Sequence, residues 1–139
     1  MRWQRAVRHA LRFGIASVLL AAAAGKLVDI QGFVKILETY QTLPDRILLP
    51  AALAIALAEL ALALWLFSGR GLRLAASATA AMHFAYALFA AVSILRGLRL
   101  ANCGCFGVFW PRPLGWSTVL EDLALVAASF ALAVLARRL

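Results

Sequence analysis

Acidic residues are scarce in this chain: six among 139, against fourteen lysines and arginines, and charged side chains of either sign make up only 14%. Soluble domains carry about a quarter, so the polar surface that would keep this chain in water is missing. Cysteine is scarcer still, with two copies. Two thiols fall short of the three or four protein ligands of a zinc site, and no second cysteine pair is present to pass electrons onward. Neither a dinucleotide-binding glycine fingerprint nor a phosphate-binding loop occurs.

What fills the chain is apolar. Hydrophobic residues make up 65% of it, gathered into four runs that approach the roughly 20 residues needed to cross about 30 Å of hydrocarbon. The expected spans are about 9–28, 47–68, 72–95 and 118–136. In the first, Arg12 and Lys26 flank a short uncharged stretch and are expected to snorkel their charges to the two interfaces. Its order of arginines, apolar residues and small residues is shared with signal peptides; retained, it is the first span. Pro50 falls in the first turn of the second span, where a missing amide proton does no harm. Thr118 followed by Glu121 is a capping-box pattern and marks the start of the fourth. The fold class expected is all-α: a polytopic four-transmembrane-helix bundle, residues 1–139 forming one domain.

The net charge of +8 lies at the ends of the apolar runs rather than on one amphipathic face, so it orients the chain in the lipid bilayer and does not bind nucleic acid. Arg2, Arg5, Arg8, Arg12, Arg70, Arg73, Arg137 and Arg138 share one side with no acidic residue. That side is expected to be cytoplasmic, with both termini, in an inner (plasma) membrane. The loop at 96–117 then faces outward.

Both cysteines lie in that loop, as Cys103-Gly104-Cys105. An outward loop is in the compartment where disulfides persist. Two cysteines one residue apart close a ring only through a sharp bend, which Gly104 permits. Such a ring removes little unfolded-chain entropy and is a poor staple; strained and exposed, it exchanges readily. Arg96, Arg99 and Arg112 nearby favour a thiolate. Phe106, Phe109, Trp110 and Trp116 suit the membrane interface or a docking surface. The pair therefore reads as redox-active, Cys103 and Cys105 being the candidate catalytic residues. Two alternatives stand beside this: a soft-metal carrier binding Cu(I) or Hg(II) through the thiols, and a non-catalytic subunit whose loop docks a partner within a larger membrane complex.

Glu59 and His83 are the ionisable residues farthest inside their spans. Counted at about 1.5 Å per residue, both lie roughly 12–14 Å from the cytoplasmic face, so a Glu59–His83 hydrogen bond is expected to join spans two and three. A proton relay or a quinone contact is the functional alternative. Tyr86 reads as packing, and Lys26 with Asp29 as a local pair.

Gly25-Lys26-Leu27, Tyr40, Leu43-Pro44, Glu59 and Cys103-Gly104-Cys105-Phe106-Gly107 occur in an order and spacing that resembles the methylamine-utilisation MauE family, a relative of the DoxX-like membrane proteins. The resemblance covers roughly residues 10–136. It implies a four-helix membrane bundle in periplasmic thiol–disulfide chemistry, a thioredoxin-like periplasmic partner, and a role in maturing disulfide-containing proteins. The chain departs from the pattern near Glu121-Asp122, where the resemblance calls for an asparagine.

Overall fold

A computed structural model describes residues 1–138, all of whose regular structure is helical. The elements are α1 (Arg2–Val28), α2 (Ile30–Thr39), α3 (Asp45–Ser68), α4 (Leu72–Leu95) and α5 (Trp116–Arg138). Four of them, all but α2, are long and apolar enough to cross a membrane. The surface agrees: Leu57, Leu64, Leu74, Phe84, Leu88 and Phe130 are each more than half exposed on the outside of the bundle. Such extensive exposed apolar area needs a nonpolar solvent. The protein is a multi-pass membrane protein.

Inside, the side chains are small. Ala16, Ala23, Ala52, Ala56, Ala63, Ala75 and Ala76 are fully buried, which lets the helix backbones approach closely where no hydrophobic drive exists between helices in lipid. The pairs α1–α3 and α4–α5 make the most extensive contacts. The arginine-rich ends of the helices meet at one end of the bundle. There Arg12 Nε donates to the Leu66 carbonyl at 2.7 Å, and Arg12 Nη2 to that of Phe67. A cation on the last carbonyls of α3 is favoured by the helix dipole.

The opposite end is built from α2 and the 96–115 segment. Helix α2, an element the composition of residues 26–46 does not announce, is a short amphipathic turn-back after α1. Asp29 caps it, Oδ1 accepting from the Gly32 amide at 2.9 Å. The expected Lys26–Asp29 pair is not formed, because this cap occupies the carboxylate and Lys26 turns inward. Phe33, Ile36 and Tyr40 bury one face of α2 against the bundle and the loop.

Two boundary expectations are corrected. Helix α3 begins at Asp45, which puts Pro50 in its second turn; the Arg46 carbonyl then loses its helical donor, at an exposed position that water can serve. Helix α5 begins at Trp116, and no capping box forms. Thr118 Oγ1 instead accepts from the Gly115 amide at 3.3 Å and donates to Pro113 O at 3.4 Å, while Glu121 is drawn to Arg112.

Candidate functional site

The Cys-Gly-Cys turn is folded from its own neighbours. Gly104 has φ +84°, a left-handed conformation that side-chain-bearing residues seldom adopt. Asn102 straddles the turn: its Oδ1 accepts from the Gly104 amide at 2.9 Å and its Nδ2 donates to Gly107 O at 3.1 Å. Asparagine ahead of a tight turn is a recognisable signal, and Asn102 is the functional residue here that the cysteine spacing alone does not disclose.

The turn is clamped to the helices through both cysteine carbonyls. Tyr40 Oη donates to Cys103 O at 2.5 Å, and Lys26 Nζ to Cys105 O at 3.0 Å. Backbone approach completes the clamp. A β-carbon on Gly25 would collide with the Phe106 carbonyl, and one on Gly107 with the Gly25 carbonyl, so each glycine makes room for the other segment. This gives a physical reason for the Gly25-Lys26 and Cys105-Phe106-Gly107 stretches to occur together.

Within the turn the two sulfurs face one another at 2.8 Å. Cys103 is buried, 8% exposed, and Cys105 is half-buried. The pair is therefore less exposed than the outward loop suggested, because α2 and Tyr40 cover it. The sulfurs differ in acidity. A hydrogen bond from Cys105, assisted by the Arg112 guanidinium, holds the Cys103 thiol down to about 6 against the opposing effect of burial. The same hydrogen bond, together with burial, pushes Cys105 well above the usual thiol range. Burial likewise raises the Tyr40 phenol, with the two sulfurs adding to it.

Of the three arginines expected beside the thiols, only Arg112 lines their cavity. It forms a two-point pair with Glu121, through Nη1–Oε2 and Nη2–Oε1, a geometry that fixes the guanidinium plane. Arg96 turns to α2, Nη1 donating to Tyr40 O at 3.0 Å. Arg99 is exposed. Phe106 packs at a tilt against Trp110 with ring centroids 5.1 Å apart, and Phe109, Trp110 and Trp116 remain exposed around the loop.

Below the thiols lies a cavity of about 180 Å³ that reaches into the bundle, lined by Cys103, Cys105, Lys26, Glu59, His83, Tyr86 and Asp122 among apolar walls. The Glu59–His83 bond expected from depth is not made. Glu59 Oε1 accepts instead from Lys26 Nζ at 2.6 Å and from Tyr86 Oη at 2.7 Å, while His83 Nδ1 pairs with Thr79 O at 3.0 Å. Lys26 is 3% exposed and Glu59 1%, so Lys26 does not snorkel: the buried carboxylate holds its ammonium inside. Tyr86, read as packing, is a site residue. Among the described residues no group of three or more His, Cys, Asp or Glu is placed to hold a metal ion.

This geometry couples a thiol pair of unequal acidity to a buried charged cluster through one backbone carbonyl. Comparison with known proteins points the same way as the motifs. Two relatives are each named Methylamine utilization protein MauE. The one from Paracoccus denitrificans is 34% identical over 94% of this chain and 70% of its own length. The one from Paracoccus versutus is 31% identical over 93% and 69%. No solved structure matches the chain. The family described as Methylamine utilisation protein MauE matches residues 4–136, nearly the whole bundle with its thiol turn, and the chain belongs to that family.

Proposed function

We propose that this MauE-family membrane protein, associated with methylamine utilisation as its relatives' names state, performs thiol–disulfide exchange through Cys103 and Cys105. The partner is a thioredoxin-like protein on the outward side, in the maturation of disulfide-containing proteins. One observation carries the reading: two sulfurs 2.8 Å apart whose acidities are pushed in opposite directions.

The asymmetry assigns the roles. In the oxidised pair, a partner thiolate attacks the sulfur of Cys105, the more exposed residue of the two. The Cys103–Cys105 bond breaks and its electrons leave on Cys103, the sulfur best able to carry them, since a thiol of low pKa leaves faster. Cys103 then attacks the mixed disulfide to reverse the step, or the partner's second thiol resolves it, leaving both cysteines reduced and the partner oxidised. The exposed Phe109, Trp110 and Trp116 around the turn offer an apolar seat for the partner.

Trapping tests this. Each single variant, its remaining thiol activated as a mixed disulfide with thionitrobenzoate, is mixed with a reduced thioredoxin-like protein lacking its resolving cysteine, so that attack on the protein sulfur releases thionitrobenzoate. Cys103→Ala retains a stable adduct at Cys105, and Cys105→Ala retains none. The opposite result would exchange the two roles. No adduct from either variant, with partner binding preserved, would replace exchange by a docking role for the loop.

A further inference from the structure

The cavity under the thiols has a feature that exchange with a protein partner does not use. Glu59 Oε1 is satisfied twice, but Glu59 Oε2 is buried with no hydrogen-bonding partner in the protein, on a residue 1% exposed that lines the cavity. A buried acceptor of this kind is costly unless something donates to it. Other polar groups lie beside it. Lys26 donates to Glu59 and to Cys105, two of the three N–H bonds of its ammonium. His83 engages Thr79 O through Nδ1, which leaves Nε2 as the basic nitrogen of the neutral ring.

Around these groups the walls are apolar: Leu19, Phe33, Leu37, Ile55 and Phe89. The volume of about 180 Å³ exceeds the roughly 150 Å³ of an apolar cavity that accepts benzene. Most of the lining comes from membrane-spanning helices, so a lipid-soluble ligand suits the cavity better than a water-soluble one. A flat six-membered ring bearing oxygens, able to accept from Lys26 in one state and to donate to Glu59 Oε2 or His83 in the other, matches both shape and polarity.

We infer that this cavity binds the head group of a quinone, and that the reduced Cys103–Cys105 pair delivers its electrons to that ring. The inference rests on the exchange reading for the source of the electrons. The chemistry balances. The Cys103 thiolate and the Cys105 thiol form one S–S bond as the Cys105 S–H bond is lost; two electrons pass to the quinone with that proton and one from solvent, and its two carbonyls become the hydroxyls of a hydroquinone. Glu59 Oε2 is then the acceptor that holds one of those hydroxyls, and Lys26 offsets negative charge developing on the ring oxygen.

The full-length protein in detergent, reduced, freed of reductant and kept anaerobic, receives one equivalent of a short-chain benzoquinone. A fully substituted ring is chosen because it has no free ring carbon for a thiol to add to. Quinone absorbance and the alkylatable thiol count are followed together. The expected result is one quinone reduced and two thiols lost per protein, with no reduction by Cys103→Ala or Cys105→Ala. Equilibrium partition of the same quinone onto the double variant, Cys103→Ala with Cys105→Ala, should persist and weaken about tenfold or more when Glu59→Gln is added, as expected for losing a hydrogen bond to a charged group. The stoichiometry on the unmodified protein stands whether or not the Glu59 variant folds. Thiols left unchanged, or quinone consumed equally by the denatured chain, would overturn the inference. If that happens while the partner adduct still forms, exchange survives without the quinone; quinone reduction without any adduct would remove the partner and keep the quinone.

Discussion

Lys26 Nζ lies 2.6 Å from Glu59 Oε1 and 3.0 Å from the Cys105 carbonyl, so a single ammonium ties the centre of the bundle to the thiol turn. Both charged residues are almost fully buried. Removing one partner of such a pair strands the other charge in a low dielectric and costs about 3–5 kcal/mol, whereas replacing both by apolar groups is often close to neutral. Lys26→Met and Glu59→Leu should each lower the unfolding midpoint in detergent sharply, and the double variant should recover most of the loss. A double variant as unstable as the two losses added together would show that the pair is not coupled.

Charge at the turn should be visible in reactivity. With Cys103 held to about 6, its thiolate predominates above that pH. Alkylation of the reduced protein should level off near neutrality and fall about tenfold per unit on the acid side. The leading cause is the Cys105 hydrogen bond, so Cys105→Ala should move the midpoint upward, toward the ordinary thiol value of about 8.5. Arg112→Gln should move it in the same direction by less. A midpoint unchanged in Cys105→Ala would remove the asymmetry on which the assignment of roles depends.

The interlock of Gly25 with the loop predicts a position-specific cost. Adding a methyl at Gly25 forces the Phe106 backbone away from α1, and overpacking of this kind costs about 1–3 kcal/mol. Because the same movement pulls the Cys105 carbonyl from Lys26, Gly25→Ala should also change the rate of Cys103 alkylation. Gly14, mid-helix with open space around its β position, is the control. Gly14→Ala should be neutral or stabilising by up to about 1 kcal/mol. Equal effects at the two positions would mean that helix propensity, not contact with the loop, governs both.

The parts of this structure that the sequence discloses are those set by composition and spacing. Four spans follow from apolar length, and the thiol turn from Cys103-Gly104-Cys105. Helix α2 was obscured because residues 30–39 are too short to span a membrane and include Lys35 and Glu38; only the Phe33, Ile36, Tyr40 spacing hints at a buried face. The partner of Glu59 is hidden for a different reason. Rise per residue gives depth along a helix and says nothing of azimuth, and at the depth of His83 it is Tyr86, three residues on, whose longer side chain reaches the carboxylate. Lys26 looked like a snorkelling residue because its burial depends on a charge 33 positions away.

Orientation is the remaining expectation, and the fold sharpens its test. Arg12 at the α3 terminus marks the arginine-rich end of the bundle, and the thiol turn with α2 forms the other. If the arginine-rich end is cytoplasmic, as the positive-inside rule requires, the cysteines face outward. In intact cells, a membrane-impermeant maleimide should label the protein only after mild reduction, since the oxidised pair has no free thiol. Labelling should be slow even then, because Cys103 is 8% exposed, and Tyr40→Phe should speed it by releasing the Cys103 carbonyl. Labelling without reduction would keep the topology and give a reduced resting state. Cysteines that react only after lysis would invert the topology and place the exchange partner on the cytoplasmic side.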